Sequence, residues 1–76
     1  AGETIVMSPG EMVRTLRELK GWSQNLLAKK SKISQANLSG IENNRIHIGK
    51  ERAIALARVL DIHPGSIMFA DYSIAV

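Results

Sequence analysis

SQNLLAKKSKISQANLSGIENNR, residues 23–45, writes the dipeptide Ser-Gln twice, eleven residues apart, each time just ahead of a short apolar pattern. Serine favours the N-cap of a helix because its hydroxyl accepts a hydrogen bond from an N–H that has no partner within the first turn. Each Ser-Gln therefore predicts a helix start. Ser23 heads a helix containing Leu26, Leu27 and Ala28 that ends near Ser31. Ile33 lies in the connection. Ser34 heads the next helix, in which Leu38 and Ile41 point inward while Gln35, Ala36, Ser39 and Gly40 point outward. Asn43-Asn44 closes it, since Asn tolerates positive φ better than most residues.

Outside this stretch the helical signals continue. Ser8-Pro9-Gly10-Glu11 predicts a start with Ser8 as cap, Pro9 at the first helical position and Glu11 completing a capping box. That helix runs to about Lys20, with Met12, Val13, Leu16 and Leu19 as its buried stripe and Gly21 as a left-handed stop. Ala53, Ile54, Leu56, Ala57 and Leu60 form the inner face of a fourth helix that begins, weakly capped, near Gly49; Lys50, Glu51, Arg52 and Arg58 lie outside it. Pro64 begins a short fifth helix through Ile67, Met68 and Phe69. Residues 1–7 read as a disordered arm or a remnant of expression, 8–70 as the domain, and 71–76 as an apolar tail. The tail's weak alternation leaves a strand, a packed extension and a frayed end all open.

Composition bounds the function. With 76 residues, 45% hydrophobic and 22% charged, the chain predicts one small, compact helical domain. The absence of cysteine removes disulfides and thiolate zinc sites, and His47 and His63 have no clustered ligands at metal spacing, so neither metal nor cofactor is expected. His63 reads as a helix cap. No apolar run approaches the ~20 residues of a membrane span, so the expectation is a soluble, cytoplasmic and nucleoid-associated protein without a membrane partner. No nucleophile elbow, phosphate loop or Ser/His/Asp arrangement points to an enzyme. The net charge is +3, and it is distributed unevenly. Arg14, Arg17, Lys20, Lys29, Lys30 and Lys32 face only Glu18 between Met12 and Ile33, whereas residues 61–76 hold Asp61 and Asp71 and no Lys or Arg. Such a basic end suits nucleic acid.

Two short helices joined by a tight turn, the second carrying small polar side chains, form a helix-turn-helix. Gln24-x-x-Leu27-Ala28, Ile33-Ser34 and Leu38-x-x-Ile41-Glu42-Asn43 resemble the signature of the Cro and lambda-repressor-type helix-turn-helix family, and the similarity extends over residues 9–69. Two residues depart from the pattern: Lys32 stands where the family's turn usually has glycine, and Asn44 where glycine usually follows the recognition helix. The resemblance implies an all-α, five-helix DNA-binding domain whose third helix enters the major groove, usually as a dimer on a two-fold operator. It also implies an internal ion pair between Arg17 and Glu42.

On that reading Gln35 matches adenine N6 and N7 with its amide, Ala36 offers a methyl to thymine and Ser39 reaches base edges, while Gly40 reads nothing directly and either admits close approach to the groove or is neutral drift. Ser23, Gln24, Asn37, Asn43, Asn44, Arg45 and Lys50 fall where phosphate contacts are expected. Ile67, Met68 and Phe69 are expected at a homodimer contact, because they lie far along the chain from the basic motif and exceed what a small core absorbs. The leading function is a sequence-specific transcriptional repressor. Two others stay open from sequence: an antitoxin that uses the same fold for autoregulation and the apolar end of the chain for a toxin partner, and a helical protein-interaction module without DNA binding.

Overall fold

The computed structural model describes residues 4–5, 7–68 and 74–75. Its elements run β1 (Thr4–Ile5), α1 (Pro9–Leu19), α2 (Gln24–Ser31), α3 (Gln35–Glu42), α4 (Gly49–Leu60), α5 (Gly65–Met68) and β2 (Ile74–Ala75). The fold is all-α with five helices, to which a two-residue antiparallel ribbon is added, pairing Thr4 with Ala75 and Ile5 with Ile74. Both strands of the ribbon fall in the segments expected as arm and tail.

Serine hydroxyls start the first three helices. Ser8, Ser23 and Ser34 accept from the backbone N–H of Glu11, Leu26 and Asn37 at 3.2, 3.1 and 3.1 Å. At α1 the Ser8 hydroxyl also donates to the Glu11 carboxylate at 3.2 Å, a variant of the capping box. α4 starts at Ile48 with no side-chain cap.

One device ends α1 to α4. A residue in the left-handed region, Gly21, Lys32, Asn44 or Asp61, reverses the chain at φ of 70, 61, 59 and 60° respectively. The next residue then donates its N–H to the carbonyl five positions back: Trp22 to Arg17, Ile33 to Ala28, Arg45 to Gly40 and Ile62 to Ala57. This satisfies carbonyls that the helix leaves without partners. It also turns Trp22, Ile33, Ile46 and Ile62 back onto the core. Lys32 thus takes up the positive φ that the family's glycine would adopt, so the turn keeps its path.

Val13, Leu27, Leu38, Ile41, Leu56, Leu60 and Ile67 form the fully buried centre. α1 packs on α3, α4 and α5, α2 on α3 and α4, and α4 on α5, so the motif rests on α1 through α3 and on α4 through α2. Ala28, only 7% exposed, is small where α2 meets its neighbours.

Three expectations are corrected. Leu19 is 78% exposed, because the inward face of α1 runs through Gly10, Val13 and Arg17, and Leu19 lies roughly 150° round the helix from that line. Gly40 points inward: a Cβ there would meet Ile46 Cδ1 at 2.5 Å and Cγ1 at 2.7 Å, so the missing side chain seats Ile46 against α3. Ile67 is 0% exposed and belongs to the core of a single chain, which removes it from a dimer surface. Met68 is half-buried, while Phe69 and the rest of the tail other than β2 lie outside the described residues.

Candidate nucleic-acid interface

α3 has two unlike faces. Leu38, Ile41 and Glu42 are buried, whereas Gln35 and Ala36 are exposed and Asn37 and Ser39 half-exposed. Positions 35, 36 and 39 share one edge at helical spacing, and the structure brings them together there. Gly40, expected beside them, lies under Ile46 instead.

What holds this edge in place is polar. The Arg17 guanidinium in α1 donates to Glu42 at the end of α3 through Nε at 2.8 Å and Nη2 at 3.0 Å, and through Nη1 to the Trp22 carbonyl at 2.8 Å. The side chains are 12% and 2% exposed, so this is a shielded, bidentate pair. The hydrogen bonds that Arg17 donates to Glu42 raise its pKa against the opposing effect of burial. The arginine is therefore a fixed positive charge.

Gln24 joins the same cluster. Its Nε2 donates to Glu42 Oε1 at 3.2 Å, and its Oε1 accepts from Gln35 Nε2 at 3.4 Å. The two Ser-Gln dipeptides thus meet in space, which no local pattern foretells. Ser23 uses its hydroxyl oxygen as a cap and keeps the hydroxyl hydrogen free to donate. Asn43 is turned back on its own helix: its amide nitrogen donates to the Ser39 carbonyl at 2.9 Å and the Ser39 hydroxyl at 3.4 Å. That makes it a cap of α3. Asn44, Arg45 and Lys50 are exposed around the loop that follows α3.

Trp22, which the sequence reading passed over, organises the basic end. The ammonium groups of Lys20 and Lys30 sit 5.3 and 4.9 Å from its ring centroid, within cation–π range. Lys29 and Lys32 are exposed nearby in sequence. His63 accepts the Gly65 N–H on Nδ1 at 3.0 Å, so it caps α5 as expected. Among the described residues no group of three His, Asp or Glu side chains is placed to hold a metal, and no helix is long and apolar enough to cross a membrane.

A helix-turn-helix seated on α1 and α4, with α5 behind them and a polar outer edge on the motif's second helix, defines a class of DNA-binding fold. Residues 13–67 match the Helix-turn-helix family (HTH_3). Among solved structures, the chain is similar to the restriction-modification controller protein C.AhdI from Aeromonas hydrophila, at 32% identity over 78% of this chain and 89% of that chain, with a TM-score of 0.74. It is also similar to the N-terminal DNA binding domain of SinR from Bacillus subtilis, at 26% identity over 79% and 88%, with a TM-score of 0.75. The P22 c2 repressor in complex with a synthetic operator has the same fold, at 24% identity over 80% and 92% and a TM-score of 0.75. No curated protein matches by sequence. The chain belongs to the Cro/C1-type helix-turn-helix family of DNA-binding transcription regulators.

Proposed function

We propose that this protein is a sequence-specific repressor that reads the major groove of double-stranded DNA with α3, as a dimer on a two-fold operator. The observation that carries the reading is the outer edge of α3: Gln35, Ala36 and Ser39 stand together on a helix whose other face is locked by Leu38, Ile41 and the Arg17–Glu42 pair. Gln35 supplies a donor and an acceptor, Ala36 a methyl and Ser39 a hydroxyl, which suits base edges. Ser23, Asn37, Asn44, Arg45 and Lys50 hold phosphates and set the register, and Gln24 joins them through the one amide N–H that it does not give to Glu42. The reading surface is small, so phosphate contacts and DNA shape supply much of the affinity. In a dimer the two α3 helices lie about 34 Å apart, one turn of DNA. Met68, half-buried at the end of α5, is the described residue left at that contact. The likeness to a restriction-modification controller protein supports transcriptional control over toxin neutralisation or purely protein-binding roles.

Selection of sites from random duplex DNA, followed by mobility shifts over a range of salt, tests this. The expected result is a two-fold consensus whose affinity falls steeply with salt; equal binding to every duplex refutes sequence-specific reading. Sedimentation showing a monomer at high concentration, both free and on DNA, refutes the dimer.

A further inference from the structure

We infer that Glu42 determines specificity without touching DNA, because its charge fixes, through Gln24, which end of the Gln35 amide faces the groove. This rests on the reading of Gln35 as a base reader. An ionised carboxylate is an acceptor only. Arg17 grips Glu42 from one side, at 2.8 and 3.0 Å, and Gln24 Nε2 donates to Oε1 from the other, at 3.2 Å. The donor end of Gln24 is committed to Glu42, so its carbonyl oxygen turns outward, where Gln35 Nε2 donates to it at 3.4 Å.

Polarity passes along this chain in one direction. Reversing Gln24 sets its carbonyl oxygen against a carboxylate, and reversing Gln35 sets two carbonyl oxygens face to face. Glu42 is 3% exposed, which leaves little room for water to relieve either arrangement. The last contact is long, so it acts on the orientation of the amide and contributes little to stability. Gln35 spends one N–H on Gln24 and keeps the other N–H and its carbonyl oxygen for a base. That pair fits adenine, which offers an acceptor and a donor; a reversed amide presents its N–H groups to guanine, which offers two acceptors. Glu42 and Gln24 are thus positioning residues for the choice between adenine and guanine.

Site selection from random-sequence duplex DNA by the full chain tests the relay, with Gln35→Ala identifying the base pair that Gln35 reads as the one whose preference it erases. At that base pair the wild type is expected to favour adenine over guanine by about tenfold, falling to about twofold in Glu42→Gln and in Gln24→Leu, while preferences at other positions persist. A merely structural role for Glu42 weakens all positions together and leaves this ratio unchanged. Gln24→Leu keeps the Arg17–Glu42 pair, so it carries the test if Glu42→Gln does not fold. If Gln35→Ala erases the preference but the folded relay variants keep the wild-type ratio, the relay is overturned and the base reading stands. If Gln35→Ala leaves every preference intact, the base reading itself falls, and the relay with it.

Discussion

Arg17 and Glu42 are joined by two parallel N–H···O bonds across 25 residues of sequence, and the pair ties the end of α3 to α1. Removing the arginine leaves a carboxylate that is 2% exposed with only Gln24 as a side-chain partner, so the loss is that of an uncompensated buried charge. Arg17→Ala is expected to cost about 3 kcal/mol, a fall in Tm of roughly 12–24 °C for a domain of this size. The Arg17 pKa is raised on folding, so its contribution is fully present below the ordinary guanidinium range and is lost only as pH rises above it. The deficit on this account is constant from mildly acid to mildly alkaline pH. Replacing both partners, as Arg17→Met with Glu42→Leu, is expected to recover much of the loss, because no buried charge then remains. Thermal unfolding of the two singles and the double measures the coupling; additive losses show that the pair contributes nothing as a pair.

The two buried glycines at the C-terminal end of α3, Gly10 packed against it from α1 and Gly40 within it, are expected to differ. A Cβ on Gly10 would strike the Ile41 carbonyl oxygen, which is backbone and cannot yield cheaply, whereas a Cβ on Gly40 would strike only the Ile46 side chain. Gly10→Ala is therefore expected to destabilise by about 2–3 kcal/mol in any background. Gly40→Ala sets the same kind of clash against a gain of about 1 kcal/mol in helix propensity. In an Ile46→Ala background the clash disappears and Gly40→Ala becomes stabilising. Chemical unfolding of this double variant decides the matter: if Gly40→Ala still destabilises without Ile46, the close packing is not the reason for glycine.

Lys32 holds the turn of the motif at φ 61° and ψ 26°, a conformation costing an L-residue roughly 1 kcal/mol that glycine does not pay. Lys32→Gly relieves the strain but loosens the unfolded chain, which returns about half of the gain. The net expectation is a rise in Tm of a few degrees with the turn unchanged. Lys32→Val, β-branched in the same conformation, is expected to lower it. A thermal scan in which glycine and valine shift Tm equally places no strain at this position.

How much of this was legible in the sequence follows the range of each interaction. Ser8, Ser23 and Ser34 cap their helices through bonds spanning three residues, so the starts of α1, α2 and α3 could be read directly. Gly21 and Asn44 announced left-handed stops by residue type. Asp61 performs the same task at φ 60°, which its short polar side chain tolerates, and the turn sets Ile62 against the core. Leu19 continues the spacing of Met12 and Leu16, but that spacing does not reveal that the covered face of α1 turns the other way, toward Gly10, Val13 and Arg17. Gly40 and Ile46, Gln24 and Glu42, and Gln24 and Gln35 meet only after the helices pack. The place of Gln24 at a helix start points to phosphate, whereas its bonds to Glu42 and Gln35 have no local signal.

The basic residues are expected to divide by what each already touches. Arg45 and Lys50 are exposed beside the end of α3 and form no side-chain hydrogen bond or ion pair among the described residues, which leaves their charges free to displace counterions from DNA. Each replacement, Arg45→Gln or Lys50→Gln, is expected to reduce the slope of log K against log[salt] by about one unit and to weaken all sequences alike. Lys30 faces the Trp22 ring at 4.9 Å, where its charge supports the fold. Lys30→Gln should cost about 0.5 kcal/mol of stability and leave the slope unchanged, as a partly exposed cation–π contact would. Filter binding across a salt series, beside thermal unfolding of the same variants, separates the two groups. A slope that falls by one unit in Lys30→Gln but not in Lys50→Gln would move the DNA backbone from the loop after α3 to the Trp22 end of the domain.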